Sequence, residues 1–385
     1  MYLGSLDSHD AKRLFDADAA AVLGPSGFLF FVRGGTLLAR RFDARALEPA
    51  GEPVRVADEL LGSYSVFLGK AALAGSSTTL VYRTGAGVQR QFMWFDRSGN
   101  ALGTAGPSDS TIHNPDISPD GQQILFQRVG GLDRGIWLLD SSRDTVSRFT
   151  IEEGRYIFPT WSPDGARLVF SKLEGDGAVN AYQRAVRSGE PEERLPIDQV
   201  VVYDWSRDGR FILLTKVIPS RSRDLWVLPL EGDGKPFPLV ETRFEEREGQ
   251  FAPDGSFVAF ESNETGRFEI YLQPFPGPGE KSLVSTGGGE HPRWRPDGRE
   301  LFYIAPDGSL MAVPLTAAEG KDLKLDSPAK LFSTRILRET TPGYNYNQQY
   351  DVSPDGKRFL INVTTEDAVT SPIIVVLNWK PPEKP

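Results

Sequence analysis

The chain has 385 residues, 39% of them hydrophobic and 25% charged, with a formal net charge of -9. That composition supports a real core in an ordinary soluble domain, while the negative balance argues against a nucleic-acid binder, which needs a basic surface to displace counterions, and against an anionic membrane surface. The absence of cysteine excludes disulfides, thiolate metal sites and cysteine nucleophiles, and the longest apolar runs, residues 28–32 and 373–377, fall far short of the roughly 18–20 residues that a membrane helix needs.

In chain order, residues 2–6 have the pattern of a third strand and residues 12–15 that of a fourth, an order that has the chain open in the middle of a blade. Residues 1–10 lack the basic and apolar regions of a secretory signal. Residues 27–32 and 36–43 read as a hairpin around Gly34-Gly35, and residues 79–83 and 89–96 as another.

From residue 114 the chain repeats itself. The turns are Ile117-Ser118-Pro119-Asp120-Gly121, Trp161-Ser162-Pro163-Asp164-Gly165, Trp205-Ser206-Arg207-Asp208-Gly209, Phe251-Ala252-Pro253-Asp254-Gly255, Trp294-Arg295-Pro296-Asp297-Gly298 and Val352-Ser353-Pro354-Asp355-Gly356. Their glycines are spaced 44, 44, 46, 43 and 58 residues apart. Proline presets φ, aspartate bonds its own nearby backbone, and glycine accepts φ > 0, so each is a tight turn between strands. In one full repeat, residues 158–161, 167–171, 180–186 and 194–196 are the four strands. The final strands are expected at residues 349–353, 358–363 and 373–379. Four short strands in about 45 residues is the content of one propeller blade.

The fold class is therefore all-β, a β-propeller of eight four-stranded blades, with seven as the alternative. The whole of 1–385 forms one propeller domain: 1–24 lead in and close, 25–380 make blades and 381–385 are a tail. Closure pairs N- and C-terminal strands, because it removes exposed sheet edges. The longest interval between turns places a polar, aromatic insertion at residues 337–347, a position where function tends to sit.

The turn followed by an apolar strand resembles the WD40-like repeat of the TolB-like propellers, over residues 114–363. The runs Leu225-Trp226-Val227-Leu228-Pro229-Leu230, Gln273-Pro274-Phe275-Pro276-Gly277-Pro278-Gly279 and Ser285-Thr286-Gly287-Gly288-Gly289 are also similar to the C-terminal propeller of bacterial eukaryotic-like serine/threonine kinases. That resemblance implies a sensing or docking role outside the cytoplasm. No kinase motif is present, so kinase activity is not implied.

Aligned on the turn glycine, the repeats form columns. Four residues before it stand Ile117, Trp161, Trp205, Phe251, Trp294 and Val352, which fill the space between blades. The turn aspartates are explained by turn chemistry. Five residues before it, Asp116, Thr160, Asp204, Gln250, Arg293 and Asp351 are expected to line the central channel. Around one mouth, His113, Asn114, Tyr156, Tyr203, Arg247, Glu248, Glu290, His291, Tyr344 and Gln348 are the candidate binding residues; a solvated channel wall accounts for the same polarity. Asp116, Asp204 and Asp351 could also raise one another's pKa or hold a cation. No His-Glu-x-x-His spacing, Gly-x-Ser-x-Gly elbow or helix-linked glycine loop occurs.

The expectation is a non-catalytic, monomeric scaffold or sensor that binds a protein, peptide or small molecule, with no cofactor, no catalytic residue and no resident metal. The alternatives are a detached sensor of a receptor kinase and a propeller hydrolase with a channel metal. Compartment is not fixed by the residues; the resemblance suggests a periplasmic one.

Overall fold

In a computed structural model of the chain, all residues are described except 6–10, 18, 59, 61, 64–69, 85–87, 130–132, 153, 176, 188, 218–222, 278, 318–322, 337–347, 366–371 and 383–385. Among the described residues there is no α-helix, only strands, turns and a short 3₁₀ turn at Pro25–Gly27. No described helix is long and apolar enough to cross a membrane. The chain divides into two compact units, residues 90–128 with 134–364, and residues 1–89 with 129–133 and 365–385.

The larger unit holds the repeats, and its described residues form six sheets. Blade 1 contains Ile112–Ile117, Gln123–Arg128, Gly135–Asp140 and Thr145–Arg148, all antiparallel and in that order from the inside. Blade 2 contains Arg155–Trp161, Arg167–Leu173, Val179–Ala185 and Glu193–Arg194. Blade 3 contains Val200–Trp205, Phe211–Lys216, Asp224–Pro229 and Phe237–Val240, and blade 4 contains Glu246–Phe251, Phe257–Ser262, Glu269–Pro274 and Ser282–Leu283. Blade 5 contains Glu290–Trp294, Glu300–Ile304 and Ser309–Ala317, the last paired with both Leu323–Leu325 and Ala329–Ser333. Blade 6 is composite: Tyr350–Val352 and Arg358–Thr364 supply its inner strands, Arg90–Asp96 and Ala101–Asp109 its outer ones. Innermost strands lie against one another from blade 1 through blade 6 and back to blade 1.

The turns show why one motif repeats. In blade 2, Ser162 Oγ donates to Asp164 Oδ1 at 2.6 Å, which also accepts Ala166 N–H at 3.0 Å, and Gly165 takes φ 67°. A Cβ on Gly165 would stand 3.7 Å from the Pro119 ring of blade 1, and one on Gly121 would stand 3.6 Å from Pro354 of blade 6. Successive turns therefore pack side by side around one axis. Between blades lie apolar layers, one at each junction, and the large residues before the turns belong to them: Ile117 between blades 6 and 1, Trp161 between 1 and 2, Trp294 between 4 and 5.

The smaller unit has a four-stranded sheet of Val22–Leu23, Phe28–Arg33, Thr36–Asp43 and Glu48–Ala57, and a three-stranded sheet of Leu73–Gly75, Thr79–Arg83 and Ile373–Leu377. Phe30, Leu37, Ala39 and Leu80 form its core, and Trp379 packs edge-on against Phe30 at 5.0 Å.

Three expectations change and a fourth is not confirmed. Tyr2–Gly4 does not complete the last repeat; it pairs with Ala11–Arg13, and Arg90–Asp96 takes the place beside Arg358–Thr364 in an unbroken seven-residue register. The physical reason is area: Phe92, Met93, Trp94 and Phe95 supply apolar cover on both faces, whereas Tyr2 is 64% exposed. Consequently residues 79–83 and 90–96 are not one hairpin, and Ile373–Leu377 joins Thr79–Arg83 rather than the last repeat. The count of eight blades is not confirmed, since the circuit of the larger unit is made by six sheets.

Candidate functional site

Each of blades 1 to 5 carries a bulge in its innermost strand, within the four residues before its turn begins. Register slips between His113 and Asp116, Ile157 and Thr160, Val202 and Asp204, Arg247 and Gln250, and Glu290 and Arg293. In four of these blades the residue seven positions before the turn glycine adopts left-handed backbone: Asn114 (φ 52°), Phe158 (φ 50°), Glu248 (φ 49°) and His291 (φ 59°). None is glycine, so each conformation costs on the order of 1 kcal/mol and persists because its surroundings hold it. Bulges re-aim side chains and interrupt the ladder.

The freed backbone donors find partners on the preceding blade. Val202 N–H donates to Ser171 Oγ at 2.9 Å, His291 N–H to Glu261 Oε1 at 2.6 Å, and Asn114 N–H to Gln348 O at 3.2 Å. Ser171 and Glu261 occupy the same place in the second strand, six residues after the turn glycine. Gln127, Thr215 and Asn362 share that column, and all five are buried.

The polar column five residues before the turn stitches blades together in the forward direction. Asp351 Oδ2 accepts Ile117 N–H at 2.7 Å, Asp116 Oδ2 accepts Trp161 N–H at 2.9 Å, Asp204 Oδ2 accepts Phe251 N–H at 2.7 Å, and Gln250 Oε1 accepts Trp294 N–H at 2.8 Å. Trp161 and Trp294 also donate their indole N–H groups to the carbonyls of Asp116 and Gln250 at 3.2 Å. Thr160 donates to Asp116, and Arg293 Nε lies 3.5 Å from Asp351.

These strands surround a cavity to which all six blades contribute. Its walls are Asn114, Pro115, Asp116, Phe158, Pro159, Thr160, Tyr203, Glu248, Gly249, Arg293 and Gln348, around about 390 Å³ of space partly open to solvent. Seven of the residues singled out in the sequence meet there: Asn114, Asp116, Thr160, Tyr203, Glu248, Arg293 and Gln348. Asp204, Gln250 and Asp351 are engaged in the bonds between blades. Tyr156 is core, its ring 5.6 Å from Phe170 and its hydroxyl donating to Glu192. His113, Arg247 and His291 are buried rather than exposed, Glu290 is partly buried, and Tyr344 lies outside the described residues. Phe158 was not anticipated as a wall residue; its ring meets Tyr203 edge-on at 5.5 Å.

Burial raises the carboxyl groups here. Asp204 and Asp351 are pushed up to about 7, the first by burial against its N–H bond to Phe251, the second by burial and by Asp116. Asp116 is raised by burial, opposed by Arg293. The mutual influence of Asp116 and Asp351 read from the sequence is thus present.

Behind the wall, blades 4 and 5 hold a buried charge cluster. Arg247 Nε donates to Glu261 Oε2 at 2.7 Å, His291 Nδ1 lies 2.6 Å from Glu248 Oε2, and Arg247 reaches towards Glu290 at 3.4 Å. Burial works against a charged imidazole, but Glu248, with Glu261 and Glu290 beyond, outweighs it and raises His291 to about 9. Burial also raises Glu261, opposed by Arg247. Both Glu261 oxygens already accept N–H bonds, so the geometry holds it ionised.

Glu248, Glu261 and His291 could present three metal-ligand atoms within 4.8 Å of one another. A dication would have to displace the His291 proton and compete with Arg247, so the arrangement serves first as an ion-paired cluster. Sequence reading missed Glu261, because it sits in a strand otherwise read as apolar; only alignment of the second strands shows its column to be polar.

No family model matches the chain. An uncharacterized protein of Agrobacterium fabrum, Atu1656, is 26% identical over 210 residues, 52% of this chain and 68% of that one. The uncharacterized peptidase YuxL of Bacillus subtilis is 31% identical over 113 residues, 27% of this chain and only 17% of that one. Among solved structures, a putative TolB from Agrobacterium tumefaciens superposes with a TM-score of 0.57 at 16% identity, over 72% of this chain and 99% of that one. TolB from Acinetobacter baumannii gives 0.48 at 17% identity, over 85% and 76%. The fold is that of a TolB-like β-propeller; the kinase link is not confirmed by these likenesses. The expectation of a chain without enzymatic activity is corrected: an oligogalacturonate lyase in complex with manganese is also among the similar structures, with a TM-score of 0.40 at 15% identity over 75% of this chain and 94% of that one. A fold does not fix chemistry, so the architecture gives no ground for setting catalysis aside.

Proposed function

We propose that this TolB-like propeller is a recognition module whose axial cavity takes a short peptide segment of a partner protein. The observation that carries the reading is convergence: all six blades send side chains to one cavity, and three of its wall residues, Asn114, Phe158 and Glu248, stand on left-handed backbone. Backbone strain gathers where a site has to be shaped. The aromatic pair of Phe158 and Tyr203 offers a stacking surface, and the amides of Asn114 and Gln348 offer polar contacts. The enclosed space is narrow and suits the tip of one side chain of a segment rather than a folded surface.

Panning a random dodecapeptide library on the immobilised chain tests this. A consensus should emerge, and its synthetic peptide should bind the Tyr203→Ala variant roughly ten-fold more weakly, since an aromatic anchor in a pocket is commonly a hot spot. Enrichment no better than on bare support, or equal affinity for both proteins, would overturn the reading.

A further inference from the structure

Resting on that recognition reading, we propose that the group the axial cavity takes from its ligand is an organic cation, an ammonium or a guanidinium. The argument starts from which atoms are left over. Asn114 Oδ1 and Glu248 Oε1 are buried atoms of wall residues with no hydrogen-bond partner among the described residues. Asn114 is 3% exposed and Glu248 5%. Both atoms are acceptors.

Their identity is set by the bonds made on the other side. Asn114 Nδ2 donates to Gln127 Oε1 at 2.8 Å, which turns Oδ1 into the remaining atom. Glu248 Oε2 is taken by His291 Nδ1 at 2.6 Å, which leaves Oε1. The two residues sit on blades 1 and 4, half a circuit apart.

The charges agree. Asp116 is on the wall, Asp351 is on the adjacent innermost strand of blade 6, and Asp204, on blade 3, is near enough for Asp116 to act on it. The cation of the wall is Arg293, whose Nε lies 3.5 Å from Asp351 and whose field also acts on Asp116 and Asp204. One guanidinium facing three carboxyl groups has little left for an anionic ligand. A buried acceptor without a donor is costly, and a donor-rich cation is the kind of group that satisfies one. Phe158 and Tyr203 present ring surfaces of the kind cations favour. A calcium-like ion asks for six or more oxygens at one point, which acceptors on opposite walls do not provide.

The test compares n-butylguanidinium and n-butylammonium with their uncharged counterparts, n-butylurea and n-butanol, and with manganese and calcium chloride. Ligand-observed NMR on the full chain gives the affinities. At least one of the organic cations should bind about ten-fold or more tightly than its uncharged counterpart. Glu248→Gln should weaken that binding about ten-fold, though it also removes the partner of His291. Asn114→Asp is the informative arm: aspartate tolerates left-handed backbone, Gln127 can turn its amide to donate, and binding should tighten several-fold or more, on the order expected for an added close charge.

Equal binding of butylurea and butylguanidinium overturns the proposal. So does unchanged affinity in a folded Asn114→Asp protein, or binding of manganese or calcium that the organic cations do not displace. A consensus peptide that lacks a basic group would sink the cation assignment and leave the recognition reading standing; failure to enrich any peptide would sink the recognition reading itself.

Discussion

His113 and His291 lie within one position of each other in the repeat, yet the fold sets them to opposite charge. Arg90 Nη1 stands 2.9 Å from His113 Nδ1, and burial with that guanidinium beside it keeps His113 far below the ordinary histidine range and neutral. Glu248 stands 2.6 Å from His291 Nδ1 and raises it to about 9 despite burial. A histidine whose folded pKa exceeds its unfolded value of about 6.5 stabilises the fold fully below pH 6.5, and that contribution disappears as pH rises through about 9. From the shift it is about 3 kcal/mol. The difference in unfolding free energy between the natural chain and His291→Gln should therefore be larger at pH 6 than at pH 10, by about that amount. Denaturant titrations of both proteins across this range measure it. A difference that stays flat with pH would mean that Glu248 does not hold His291 charged.

At the scale of the strand, the sequence shows polarity without its use. The column five residues before the turn glycine is visibly polar and the one seven before it partly so, and of their polar members Asn114, Asp116, Thr160, Glu248 and Arg293 stand on the cavity wall. Nothing in residue type announces that the first column caps backbone N–H groups of the next blade, because aspartate suits that role and a ligand contact equally well. The bulges are silent for a related reason: a bulge adds one residue to one strand and needs no particular side chain, here Asn, Phe, Glu and His. The second-strand column is the hidden counterpart. Ser171 is fully buried and its Oγ accepts the bulge N–H of Val202 at 2.9 Å. Ser171→Ala leaves that donor without a partner in an apolar layer, which should cost about 1–3 kcal/mol of stability. Ser142, on an exposed turn where its Oγ meets Asp140, is the control, and Ser142→Ala should cost roughly 0.5 kcal/mol or less. Thermal unfolding of the two variants decides; equal losses would show that the bulge donor does not depend on Ser171.

The larger unit as a whole depends on a pairing that no local pattern reveals. The repeat makes six turns legible, and their side-by-side packing follows from Pro and Gly at fixed places. Which strand completes the last repeat is a question of long-range fit, and Arg90–Asp96 carries no turn motif to mark it. It lies between Arg358–Thr364 and Ala101–Asp109, with Met93 opposite Ile361 on one side and Thr104 on the other. A proline at an inner strand position removes a ladder hydrogen bond and clashes with its neighbours, at a cost of about 3 kcal/mol or more, whereas an outermost strand tolerates it better. Met93→Pro should accordingly lower the denaturant midpoint far more than Leu102→Pro, since Leu102 is 53% exposed on the outer strand. It should also cause concentration-dependent association, because loosening Arg90–Asp96 leaves the edge of Arg358–Thr364 unpaired. Light scattering beside the unfolding curves reads both effects. If the two prolines act alike and neither protein associates, the pairing of residues 90–96 with 358–364 is not what holds the circuit of six blades together.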